Sequence, residues 1–206
     1  MLLSRGLIFP GLFLFVSDPN MPNIDLALAI SATSANSNQS YDLMKNTIKQ
    51  FIDQYGVDKI HYSLMVYGNS VVRVVNFNHT FPPNASELKA AIDAQPPISG
   101  GPFPEDALQE AFKVFNETEG RPDAKKVLLV MTDENSGADS NSLSAAVKPV
   151  EDLGVLVLSV GAGSAVDRNE LSVISPNPLD VISPALGENP RVLADRIMER
   201  ILRRKT

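Results

Sequence analysis

Lys126-Val127-Leu128-Leu129-Val130-Met131-Thr132-Asp133 is the most apolar central run of this chain, five apolar residues between a lysine and a Thr-Asp pair. A run this short, β-branched and without alternation suits a strand buried on both faces, as strands of parallel sheets are. Working outward, Val155 to Val160 and Ile24 to Ile30 have the same character. Between these strands lie helical patterns. Gln39 to Tyr55 carries Tyr41, Met44, Ile48, Phe51, Ile52 and Tyr55 at helical spacing, and Gly56 ends it. Strands alternating with amphipathic helices predict an α/β domain with a mainly parallel sheet.

The remaining elements follow from local signals. Lys59 to Tyr67 and Val71 to Phe77 flank Gly68-Asn69-Ser70, a gap that predicts a hairpin and hence one antiparallel edge strand. A short helix is expected from Ser86 to Ala94, with Asn84 or Ser86 as N-cap. Gln95 to Pro104 holds four prolines and two glycines and reads as irregular. A helix follows from Glu105 to Phe115. Another runs from the loop Asp133–Asn141 to near Gly154, and a short one covers Asp167 to Ile174. Leu179 to Ile182 reads as a last strand, and Pro190 to Arg203 as a C-terminal helix burying Leu193, Ile197 and Ile201. Gly161-Ala162-Gly163-Ser164 reads as a tight turn.

Length and composition restrict the function classes. The 206 residues make one well-buried domain, placed at residues 22–204. A net charge of -6 disfavours nucleic acid, whose phosphates call for basic patches. With no cysteine, neither a disulfide framework nor a thiolate metal site is possible. Arg5 followed by the apolar run Leu7 to Val16 predicts a signal peptide over residues 1–17, too short to span a bilayer. Four Asn-x-Ser/Thr sequons, at Asn38, Asn78, Asn84 and Asn116, point the same way, to a secreted glycoprotein.

Three segments resemble the von Willebrand factor type A domain in order and spacing. They are Asp25 to Ile30, Tyr62-Ser63-Leu64-Met65-Val66-Tyr67-Gly68, and Lys126 to Asp133. The segment Gly154 to Gly161, followed by Val166 to Leu171, fits as well. The resemblance implies a doubly wound sheet with helices on both faces, and a ligand face outside the carboxyl ends of the strands. It also implies a divalent-cation site built from an Asp-x-Ser-x-Ser loop, a Thr after a Gly-Gly pair, and the Asp ending the central strand. Here Ser31 takes the place of the Asp, Thr33 of the first Ser and Ala35 of the second, while Pro102 follows Gly100-Gly101 and Asp133 is kept. Two carboxylates and three hydroxyls become one carboxylate and two hydroxyls. Neutral hydroxyls hold a hard cation poorly, so no cofactor is expected beyond weak Mg2+ or Ca2+ at Ser31, Thr33 and Asp133.

The resemblance therefore implies a non-enzymatic, metal-independent protein-binding module of an extracellular matrix, of the collagen or matrilin kind or from the organic matrix of an invertebrate mineral skeleton. Its partners would be matrix proteins, with no membrane involved unless the leader is retained. The sequence sets no oligomeric state. Candidate ligand-binding residues are Ser34, Glu105, Asp106, Glu134 and Asp139. Each acidic one also has a plain structural reading, as a first-turn residue offsetting a helix dipole or as a cap. Two other classes stand beside this reading: an intracellular scaffold of the same fold, and an enzyme or nucleotide binder using Gly161 to Ser164. The second lacks the full glycine fingerprint, and the sequence context of His61 and His79 suggests no catalytic Ser or Asp to act with them.

Overall fold

All eight residues of β1 (Ile24–Ser31) and of β2 (Ile60–Tyr67) are buried, as central strands covered on both faces must be. The computed structural model describes residues 21–33, 38–78, 80, 82–98, 100–118 and 120–203. The expected leader, Ser34, Ala35 and His79 lie outside them. Besides β1 and β2, the strands are β3 (Val71–Val75), β4 (Lys125–Glu134), β5 (Leu156–Ala165) and β6 (Val181–Ile182). They form one sheet in the order β3-β2-β1-β4-β5-β6, in which only β3 runs antiparallel to its neighbour. The helices are α1 (Asn38–Tyr55), α2 (Ala85–Asp93), α3 (Pro104–Glu117), α4 (Ser140–Asp152), α5 (Arg168–Ile174) and α6 (Pro190–Arg203). Among the described residues no helix is long and apolar enough to cross a membrane.

The two faces of the sheet are packed differently, and the alternation within β1 explains how. Leu26, Leu28 and Ile30 join a core completed by Met44, Ile48 and Ile52 of α1 and by Leu193, Ile197 and Ile201 of α6. Ala27 and Ala29, on the other face, meet the core of Leu108, Ala111 and Val114 of α3 and Leu143, Val147 and Val150 of α4. Period-2 alternation thus assigns large residues to one layer and small ones to the other.

One charged pair is built into this interior. Asp25 of β1 is 1% exposed, and its carboxylate accepts from Arg121 Nε at 2.9 Å. The same guanidinium donates to the carbonyls of Ile24 and Lys59, at 2.7 and 3.0 Å. Arg121 therefore ties the approach to β4 to the starts of β1 and β2.

The helix ends follow the sequence signals. Asn84 caps α2 in a reciprocal capping box with Glu87. Gly56, at φ +71, ends α1 in the left-handed region. Three boundaries depart from expectation. β3 stops at Val75 rather than Phe77. Leu179 belongs to a 3-10 turn (Pro178–Asp180), because the Asn177 side chain accepts from its N–H at 2.9 Å, and only Val181 and Ile182 remain as strand.

The third departure concerns Gly161 to Ser164, which form no tight turn: β5 continues through them to Ala165. β4 correspondingly continues through Asp133 to Glu134. The ladder shifts there, pairing Thr132 with Gly161 but Glu134 with Ala165, so β5 carries extra residues opposite Asp133. A Cβ on Gly163 would lie 2.2 Å from the Asp133 carbonyl oxygen. Gly163 serves the close approach of the two strands, whereas a Cβ on Gly161 would meet the side chains of Val166 and Leu171.

Candidate functional site

β1 is flanked by β2 and β4, and the connections from β1 and β4 leave on opposite sides of the sheet. This is the switch point where open α/β sheets bind ligands, outside the strands' carboxyl ends. Ser31 closes β1 and Asp133 lies at the end of β4, both buried. Ser31 Oγ and Asp133 Oδ1 are fully enclosed and lack a hydrogen-bond partner, though the Ser31 hydroxyl is near enough to influence the carboxylate.

Thr33 is held differently. It bridges to Ile98, and its hydroxyl donates to the carboxylate of Glu134, the residue after Asp133. Glu134 is thereby drawn over the end of β1. The loop before α3 is fastened to the same place: Phe103 N–H donates to the Gly68 carbonyl at 3.2 Å, and Gly100, at φ +96, leaves no room for a Cβ beside Asn69. Pro102 is buried in this loop and brings no side-chain oxygen.

The other predicted residues separate into those that join this centre and those that do not. Glu105 begins α3, and its Oε2 is buried without a hydrogen-bond partner. Asp106, beside it, is exposed. Asp139 is the N-cap of α4, accepting from Asn141 N at 2.9 Å and Ser142 N at 3.2 Å. Its carboxylate is engaged in the capping role its position suggests.

Sequence reasoning did not single out Glu170. This α5 residue is 7% exposed and accepts from the Ser136 N–H at 3.0 Å and its hydroxyl at 2.7 Å, pinning the loop after β4. Burial raises its pKa, the Ser136 hydrogen bonds oppose that, and Asp167 and Glu105 add to the rise. The available signal was the acidic residue in a first helical turn, which by itself reads as dipole compensation. Also unanticipated is a groove of about 700 Å³. It lies between the start of α1, the end of β5 and the loop before α6, with Leu186 fully exposed on it.

Burial pushes the Asp133 carboxyl up to about 6, the Glu134 charge adds to the rise, and a backbone hydrogen bond and Ser31 pull against it. A raised carboxyl pKa stabilises the fold fully below the unfolded value near 3.8, and that contribution is lost as pH rises through 6. Asp133→Asn is therefore expected to stabilise the protein at pH 7 by about 1 kcal/mol, after allowance for solvent screening, and to have no such effect below pH 4. Denaturant midpoints of both proteins at the two pH values measure this. Equal midpoints at pH 7 would show that the buried carboxylate carries no cost.

This donor set differs from the one the resemblance implies for a hard divalent cation. At the positions the resemblance assigns to ligands stand the enclosed Asp133 carboxylate, the enclosed Ser31 hydroxyl, the Thr33 hydroxyl and a proline, with the carboxylates of Glu134 and Glu105 beside them. Such a cation takes about six oxygen ligands. Among the described residues no three His, Cys, Asp or Glu side chains are grouped to hold an ion.

The model of the von Willebrand factor type A domain matches residues 25–185. Human matrilin-1 is 30% identical over 161 residues, covering 75% of this chain and 31% of matrilin-1. Proximal thread matrix protein 1 from the mussel byssus, in a structure with a zinc-occupied MIDAS motif, superposes with a TM-score of 0.69 at 22% identity. The match covers 87% of this chain and 45% of that one. The manganese-loaded TRAP protein of Plasmodium vivax superposes with a TM-score of 0.72 at 14% identity, covering 87% and 74%. At these identities the solved structures show a shared fold.

Proposed function

We propose that this chain, which belongs to the von Willebrand factor type A domain family, is a secreted, non-enzymatic protein-binding module of an extracellular matrix that engages its partner without a shared cation. Similarity to matrilin-1 and to a thread matrix protein supports the matrix setting. The apolar leader and four sequons support secretion. The observation that carries metal independence is Ser31, which supplies a neutral hydroxyl where the family has a carboxylate beside Asp133, while Pro102 supplies no side-chain oxygen.

Binding then falls to the strand-end face itself. Glu134, Glu105 and Asp106 provide negative charge there, and the loops after β1, before α3 and after β4 provide shape. An acidic face of this kind suits a partner segment bearing lysine or arginine, by direct ion pairing in place of a metal-bridged carboxylate. Ser34 belongs to the same proposed surface by sequence position, and Asp139 borders it as the cap of α4.

Calorimetric titration with Mg2+, Ca2+ and Mn2+, repeated on Asp133→Ala, tests the cation statement. No saturable heat is expected at millimolar cation. Tight binding abolished in the variant would overturn it. Retention of the protein on decellularised matrix should be unchanged by EDTA and weakened by Glu134→Lys. Loss in EDTA would return the family's metal-bridged mode.

A further inference from the structure

Three of the four sequons, two close in sequence and the third more than thirty residues on, meet at one place on the fold. Asn78 and Asn84 line a single groove with Val75, Phe77 and Pro83. Asn116 directly follows Phe115, whose ring packs on Phe77 with centroids 5.5 Å apart. Glu117, the middle residue of that sequon, accepts from Arg73 of β3 at 2.9 Å. All three asparagines are exposed. The cap formed by Asn84 uses only its Oδ1, which accepts from Ser86 N and Glu87 N, and leaves the amide nitrogen out of the capping interaction.

This place is the open edge of the sheet. Among the described residues β3 pairs only with β2, and Val72 is 45% exposed. The opposite edge, β6, is two residues long and offers little to pair with. An open five-residue edge with valines at four of its positions is a template for strand addition by another chain. Because β3 runs antiparallel to β2, its end near Asn78 lies opposite the face that carries Ser31 and Asp133.

We propose that Asn78, Asn84 and Asn116 bear N-linked glycans that together cover the β3 edge, closing it to other chains while the strand-end face stays open. At each site an Nδ2–C1 bond to the first sugar forms. The C1–O bond of a lipid-linked oligosaccharyl pyrophosphate breaks, the pyrophosphate leaves, and one Nδ2 proton passes to a base. The glycans are bulky and hydrophilic, which suits them to blocking an edge that the protein itself leaves bare. Asn38 stands apart: it opens α1, at the strand-end side of the sheet.

This inference rests on the secretory reading, and the experiment separates the two. The full chain is expressed in a eukaryotic secretory host twice, once as it stands and once with a proven secretion leader placed ahead of it. Glycan release in heavy-oxygen water marks each occupied asparagine in peptide mass spectra. Marks at Asn78, Asn84 and Asn116 are expected in both forms. Marks only in the second form overturn the secretory reading alone, and their absence there overturns the sites. The variant Thr80→Ala/Ser86→Ala/Thr118→Ala removes the three sequons yet keeps the Asn84 cap, which needs only the Ser86 backbone. It should lose three glycan increments and sediment as dimers or larger species, with slowed amide exchange over Val71–Val75. A variant that remains monomeric, with that exchange unchanged, overturns the role in covering the edge.

Discussion

Arg121→Ala is expected to destabilise the protein by about 3–5 kcal/mol, because it removes the guanidinium that ion-pairs with a carboxylate buried in the sheet. Asp25 is 1% exposed and paired on both sides near the start of β1, with His61 of β2 and Lys126 of β4, so water does not readily replace the lost guanidinium. The carbonyls of Ile24 and Lys59 lose donors in the same substitution. Asp25→Asn alone should cost less, since a neutral amide is cheaper to bury unpaired than a charge. Guanidinium unfolding of wild type and both variants gives the comparison. A loss under about 1 kcal/mol for Arg121→Ala would mean that Asp25 is solvated, contrary to its burial.

The second large effect is expected at Gly163. A methyl group there would sit 2.2 Å from the carbonyl oxygen of Asp133, and its neighbours are backbone atoms that cannot rotate away. Gly163→Ala should therefore cost about 3 kcal/mol, at the upper end of overpacking penalties. The site should register it too. Pushing β5 from β4 moves Asp133 and Glu134, so the Thr33–Glu134 hydrogen bond is strained or lost. Thermal unfolding reads the stability, and amide exchange across residues 131–135 reads the local opening. Wild-type values in both would show that the strands separate freely at this point.

The elements that a reader of the sequence could place are those whose chemistry is uniform along their length. β1, β2 and the body of β4 are buried on both sides, so their apolar runs are unbroken. The stripe of α1 recurs with the helical period because one face meets the sheet. The parts that could not be placed are those where composition and conformation disagree. Asp133 and Glu134 look like loop residues but extend β4, and Gly161 to Ser164 look like a turn but extend β5. In both cases the deciding partner is a neighbouring strand, and pairing across a bulge leaves no periodic mark in either sequence. Glu170 is the corresponding case at the site, an acidic side chain whose burial depends on Ser136 in another loop.

By itself, the sequence determined the family fold and which side-chain oxygens and charges the strand-end loops can offer. Whether a side chain carries an oxygen or a charge is a property of the residue: Ser31 brings no charge and Pro102 no side-chain oxygen wherever they are placed. Only the tertiary structure decided what the remaining groups do instead. Thr33 and Glu134 are 101 residues apart, and their hydrogen bond exists because β1 and β4 are neighbours in the sheet. The arrival of Asn116 beside Asn78 and Asn84 at the β3 edge is of the same kind. Side-chain chemistry is local, whereas partners, burial and proximity are set by which strands and helices pack together.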